Sequence, residues 1–172
     1  MRVIDYNWDC LFFNLAFSSA MRSKDPSTKC GACIVRDNKS IGLGYNGLPL
    51  GFVDNESIWE KEVKKDYVIH AEMNAIANSN TIKFDDSEIY IWTSNKQITL
   101  PCSSCMKHLV QFNIKKIHVL DHQIDVPDEL KLRWGLDISI KIANTAKISI
   151  IKHDALEINS KILEAAKKNI II

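Results

Sequence analysis

Apolar residues recur at Trp8, Leu11, Phe12, Leu15 and Ala16, the spacing of a helix buried along one face, and predict a helix over residues 8–21 capped by Asn7. A polar stretch around Pro26, S-K-D-P-S-T-K, breaks the pattern. Residues 30–35 and 41–45 are short apolar runs that read as two strands, joined as a hairpin through Asp37-Asn38-Lys39. G-Y-N-G-L-P-L-G follows, where Gly and Pro set a turn with special backbone angles. A second helix is expected over 71 to about 80, a buried strand over 88–93 (E-I-Y-I-W-T), a third helix over 103–112 behind Pro101, and a strand over 116–120 (K-I-H-V-L). Beyond it, 130–144 is mixed, 148–152 reads as a strand and 156–170 as a terminal helix. Strands separated by helices place the chain in the α/β class, a mixed sheet with helices on its faces. No repeat, low-complexity tract or linker divides it, so 1–172 reads as one domain with a C-terminal helical extension at about 154–172.

Composition narrows the function. The 172 residues suffice for one sizeable core, with 46% hydrophobic and 25% charged residues, an ordinary soluble balance. A formal net charge of +1 lacks the basic excess of a protein that grips a nucleic acid backbone, though one or two placed cations suffice for a small anion. No apolar run approaches the roughly 20 residues of a membrane span. The start, M-R-V-I-D-Y-N-W-D-C, carries acids and no apolar block, unlike a secretory signal. Five cysteines, an odd number, point to a reducing cytoplasm and away from a disulfide framework.

Four of those cysteines form two C-x-x-C pairs. Cys102 and Cys105 follow Pro101 at a helix start, where residues three apart share a face and the helix N-terminus favours thiolate. His70 opens another helix. One imidazole and two thiolates converging from two helix starts make a three-ligand zinc site with a fourth position open for water, the catalytic pattern. Glu72 is too close in sequence to His70 to be a comfortable co-ligand and is placed to carry protons beside that open position. H-x-E followed by P-C-x-x-C is the known signature of zinc deaminases, and the chain matches it. Cys30 and Cys33 lie three apart on a strand, hence on opposite faces, and read as small buried hydrophobes, as does Cys10. His108, His118, His122 and His153, and the four tryptophans, read as surface or core residues.

Four stretches, R-S-K-D-P-S-T-K-C-G-A-C-I-V, G-Y-N-G-L-P-L-G, Y-V-I-H-A-E-M-N-A-I and P-C-S-S-C, together resemble the zinc-dependent cytidine deaminase superfamily, and within it the deoxycytidylate branch. The resemblance implies a three-layer fold with a five-stranded mixed sheet flanked by helices, one catalytic zinc, and hydrolysis of dCMP to dUMP and ammonia for thymidylate synthesis. It implies a homo-oligomer, often a hexamer, activated by dCTP with Mg2+ and inhibited by dTTP. Carried over, His70, Cys102 and Cys105 hold zinc and Glu72 shuttles protons. The Ala71 amide contacts the pyrimidine carbonyl, Asn46 holds the sugar, and Ser23, Lys24 and Thr28 lie where the phosphate sits. Gly47, Leu48, Pro49 and Gly51 belong to the effector segment. The chain departs from the family's tyrosines at the end of the fourth strand, reading H-V-L-D-H, with His118 and His122 there.

Two other readings remain open on the sequence. One keeps the zinc chemistry but takes dCTP, another nucleoside or base, or a base in RNA. The other is a non-catalytic zinc domain with four sulfur ligands, which leaves Glu72 without a role.

Overall fold

The computed structural model describes residues 5–169. Helix α1 (Trp8–Ala20) starts where Asn7 accepts a hydrogen bond from the Cys10 amide at 3.0 Å. Strands β1 (Cys30–Arg36) and β2 (Lys39–Tyr45) form an antiparallel hairpin. Its turn is two residues rather than three: Asp37 and Asn38 take φ of 51° and 56°, the left-handed region Asn and Asp tolerate, and Lys39 already pairs with Arg36. A 3-10 turn (Glu56–Trp59) and a one-turn helix α2 (Lys64–Tyr67) follow; their polar residues gave no periodic signal in the sequence. Then come α3 (Ala71–Ala77), β3 (Glu88–Thr93), α4 (Ser103–Gln111) and β4 (Lys116–Asp121).

The mixed stretch resolves into two helices, α5 (Asp128–Trp134) and α6 (Leu136–Thr145), broken at Gly135, whose φ of 59° no helix interior accepts. Strand β5 (Ser149–Asp154) runs directly into α7 (Ala155–Asn169). The expected helix end at Ile170 lies outside the described residues.

The five strands form one mixed sheet in the order β2-β1-β3-β4-β5. β1 is antiparallel to both β2 and β3, while β3, β4 and β5 run parallel. The period of two sends Ala32, Ile34, Ile89, Ile91, Ile117 and Val119 to one face, under α3, α4 and α6. Cys33, Val35, Tyr90 and Leu120 face the other way, under Cys10, Phe12, Phe13 and Ala16 of α1 and Ile158 of α7. Three layers result, with a core on each side of the sheet. α3 lies unusually close to β2: a Cβ on Gly44 would fall 2.1 Å from the Ala75 nitrogen. Only glycine permits that approach, and it fixes the height of the α3 N-terminus over the sheet. Among the described residues no helix is long and apolar enough to cross a membrane.

Candidate active site

His70 and Cys102 occupy equivalent places, the N-cap positions of α3 and α4, both in extended backbone. His70 is set there by an antiparallel bridge one residue upstream: the Gly47 amide donates to the Ile69 carbonyl at 3.1 Å and the Ile69 amide to Gly47 at 2.9 Å. The Asn74 side chain adds a bond to the Tyr45 carbonyl at 2.7 Å. The Cys102 sulfur caps α4, accepting from the Cys105 amide at 3.4 Å, which turns both sulfurs to one side.

The two helix starts meet. His70 Nδ1 lies 3.5 Å from Cys102 Sγ and 3.3 Å from Cys105 Sγ. A tetrahedral zinc with ordinary Zn–S and Zn–N bonds separates sulfur from nitrogen by about 3.6 Å, so the trio fits that ion with little movement. The electrostatics agree with a cation-binding group. The Cys105 thiol, donating to Cys102, and the His70 ring draw the Cys102 thiol down to about 4, while the Cys102 sulfur pushes His70 up to about 9. Cys105, facing a neighbouring thiolate and burial, is pushed up.

Glu72 is buried on the first turn of α3, in hydrogen-bonding reach of the Cys105 thiol. Burial raises its carboxyl against the pull of His70, so it can hold a proton nearer neutrality than a free glutamate. His70, Ala71, Glu72 and Cys102 line a cavity of about 530 Å3, within the range of small-molecule sites. Cys30, Ile91 and Thr93 form its floor from β1 and β3, and the Cys30 thiol meets Thr93 Oγ1 at 3.3 Å. Cys33 turns to the opposite core.

Of the residues expected at the phosphate, Thr28 lines this cavity and Ser23 and Lys24 do not. The buried Ser23 hydroxyl donates to the Asn46 carbonyl at 2.8 Å, and Lys24 pairs with Asp54, a partner its local sequence does not reveal. Asn46 lines the cavity, but its side-chain amide already ties the loop together. It accepts from the Cys30 amide at 2.7 Å and donates to the Thr28 carbonyl at 2.8 Å and to Asp25 at 3.3 Å. Asp25 grips Lys64 with both oxygens, at 2.7 and 2.8 Å. Burial would raise this carboxyl; Lys64 and the Ser27 and Thr28 amides outweigh it and hold it low.

Gly47 reaches the site through its bridge to Ile69, whereas Gly51, at φ of 88°, and the fully exposed Leu50 lie on the outer turn with Leu48 and Pro49. His118 points to the other face of the sheet, and His122 lines a smaller cavity with Phe17 and Trp92.

The sequence did not single out the far wall. Trp134 of α5 stands over His70 at 5.9 Å between ring centroids, with Arg133 and Leu130 beside it. Trp59, Lys61 and Lys65 enter from the segment before α3. The cluster W-E-K-E-V-K-K just ahead of H-A-E was the one signal, a basic run too short to stand out from solvated loop.

The family description "Cytidine and deoxycytidylate deaminase zinc-binding region" matches residues 6–121. A deoxycytidylate deaminase of Homo sapiens is 38% identical over 133 residues, covering 73% of this chain and 71% of that protein. A probable deoxycytidylate deaminase of Caenorhabditis elegans is 36% identical over 141 residues, 77% of this chain and 66% of that one. Among solved structures, dCMP deaminase from the cyanophage S-TIM5 in apo form superposes with a TM-score of 0.61 at 23% identity, covering 84% of this chain and 96% of that chain. This last match speaks to fold.

Proposed function

The chain belongs to the cytidine and deoxycytidylate deaminase family, and from that premise we propose that it is a zinc-dependent hydrolase converting dCMP to dUMP and ammonia. The observation that carries this reading is the convergence of His70, Cys102 and Cys105 beside a buried Glu72, with His70, Glu72 and Cys102 lining one cavity. His70 Nδ1 and the two sulfurs are the zinc ligands. Zinc bound there supplies a Lewis acid that makes a water nucleophilic near neutral pH. Glu72 takes a proton from the attacking water and passes protons to the pyrimidine ring nitrogen and to the departing amino group, so the water oxygen stays on the ring as the new carbonyl and the amine leaves as ammonia. The Ala71 amide, first in α3, donates to the pyrimidine carbonyl. Asn46 forms the sugar-side wall and holds the loop that carries Thr28.

A nucleoside monophosphate suits the rest of the cavity. Thr28 offers a hydroxyl, and Lys61, Lys65 and Arg133 offer cations for a phosphate. Trp134 and Trp59 add apolar walls to the same cavity. Regulation by dCTP with Mg2+ and by dTTP, in a hexamer, belongs to the same reading. Its support is the G-Y-N-G-L-P-L-G segment, tied to His70 through the Gly47–Ile69 bridge.

Ammonia release from dCMP, dCTP, deoxycytidine and cytidine, each with and without added dCTP, tests the proposal. Turnover is expected with dCMP far above the others. A preference for deoxycytidine or dCTP would move the enzyme to another branch, and no release from any of the four would overturn the reading.

A further inference from the structure

On the face of the sheet opposite the deaminase cavity, Asp9 of α1, His118 of β4 and His153 of β5 each offer one ligand atom, all within 4.8 Å of one another. In the β4–β5 register Leu120 pairs with His153, so His118 and His153 are diagonal neighbours on one face. His118 Nδ1 lies 2.9 Å from His153 Nε2, and His118 Nε2 lies 2.8 Å from a Glu88 carboxylate oxygen. The Asp9 carboxylate accepts from the Tyr90 hydroxyl at 2.7 Å, and its other oxygen stands 3.9 Å from His153 Nδ1.

Proton counting leaves the Asp9 end of this chain without a donor. An ionised Glu88 only accepts, so His118 carries its proton on Nε2 and turns a lone pair, on Nδ1, toward His153. If His153 donates from Nε2 into that lone pair, its own Nδ1 is an acceptor facing the Asp9 carboxylate. If His153 keeps its proton on Nδ1 for Asp9, two lone pairs oppose each other at 2.9 Å. Two neutral imidazoles therefore serve both hydrogen bonds and leave the His153 Nδ1 lone pair facing the Asp9 carboxylate across 3.9 Å, a gap between two acceptors that a cation would fill.

We infer that this cluster is a second metal site, in which Asp9, His118 and His153 bind a divalent transition ion, zinc by its donor set, and staple α1 to β4 and β5. Two imidazoles and a carboxylate suit zinc rather than calcium or magnesium, which take oxygen. The supporting shell is already built. Glu88 behind His118 Nε2 is the carboxylate that orients a metal-binding histidine, and the Tyr90 hydroxyl does the same for Asp9. The Tyr90 ring stacks on His118 at 4.0 Å and fixes its plane, while Phe13 abuts His153 edge-on at 5.1 Å. His118 is buried, but Asp9 and His153 are partly exposed, which leaves the ion a way in. Zinc bonds of ordinary length need the two ring nitrogens about 3.3 Å apart, so the pair opens by only a few tenths of an ångström.

The experiment is metal content per chain of the full-length protein, equilibrated with buffered free zinc and measured by plasma mass spectrometry. Wild type is expected to hold two zinc ions, and Asp9→Asn and His153→Gln one each. Cys102→Ser should lose the other ion and keep this one, which separates the inference from the deaminase reading. Cobalt gives a second readout. The thiolate charge-transfer band of the cysteine site should persist in His153→Gln, while a set of weak visible bands without thiolate character disappears. One zinc per wild-type chain at saturation would overturn the inference. A second ion that survives both Asp9→Asn and His153→Gln would overturn it equally, as adventitious binding.

Discussion

Glu72 and Asp25 are both buried carboxylates, and their surroundings push them in opposite directions. Burial raises Glu72, which faces an open cavity; Asp25 is held low by Lys64 and two amides. The first arrangement suits proton transfer and the second suits scaffolding. Replacing Glu72 with Gln preserves shape and removes the carrier. Zinc content should stay at the wild-type level while kcat falls at least about 100-fold; near-normal turnover would remove Glu72 from the mechanism. Asp25→Ala should instead destabilise the protein by about 3 kcal/mol, because it strands the nearly buried Lys64 ammonium. A carboxyl depressed in the folded state stabilises above its unfolded pKa, about 3.9, and that contribution is lost as pH falls through the folded value. Urea midpoints of wild type and Asp25→Ala should therefore differ at pH 7 and converge as pH drops below about 4. The cluster of His70, Cys102 and Cys105 was legible in the sequence because each of the three sits at a helix start marked by local residues. The pairing of Lys24 with Asp54 was not legible, because Asp54 lies 30 residues away.

Helix α3 shows how an element transmits position to chemistry. Its seven residues would not be stable alone; they are held by the glycines of β2 beneath and the Gly47–Ile69 bridge ahead. In Gly44→Ala the new methyl would meet the Ala75 nitrogen at 2.1 Å and the Ala71 carbonyl at 2.3 Å. Those are backbone atoms, so the helix itself must lift. The expected cost is about 2–3 kcal/mol, with a weaker hold on zinc in competition with a chelator, since His70 and Glu72 travel with the helix. A variant with normal stability and normal zinc retention would show that α3 has slack. The alternating strands and the α1 stripe were readable because burial on one face imposes a period. The break at Gly135 was hidden because α5 and α6 are short and separated by one residue.

At the scale of the whole molecule, the cavity is assembled from segments that the sequence keeps far apart. H-A-E and P-C-S-S-C announce the zinc end, but the mouth is completed by α5, beyond the matched residues 6–121, and by the basic segment before α3. No pattern in L-K-L-R-W-G tells that its Arg and Trp face a pocket; only the packing of α6 against α4, with the Ser139 hydroxyl donating to the Pro101 carbonyl at 2.8 Å, brings α5 there. On the proposed function, this assembly is where a nucleotide would be told from a nucleoside. An arginine can meet a phosphate with two parallel charge-assisted bonds, each worth about 1.5–3 kcal/mol. Arg133→Ala should therefore raise KM for dCMP by about 10–100-fold and leave the weak turnover of deoxycytidine nearly unchanged. Lys24→Ala, removed from the cavity and paired with Asp54, should shift neither substrate. The split is read from initial rates with both substrates at low and high salt, because a phosphate contact at the mouth weakens as salt screens it. Equal loss on both substrates in Arg133→Ala would mean that the side chain merely supports Trp134, and a selective loss in Lys24→Ala would return the phosphate to the loop around Pro26.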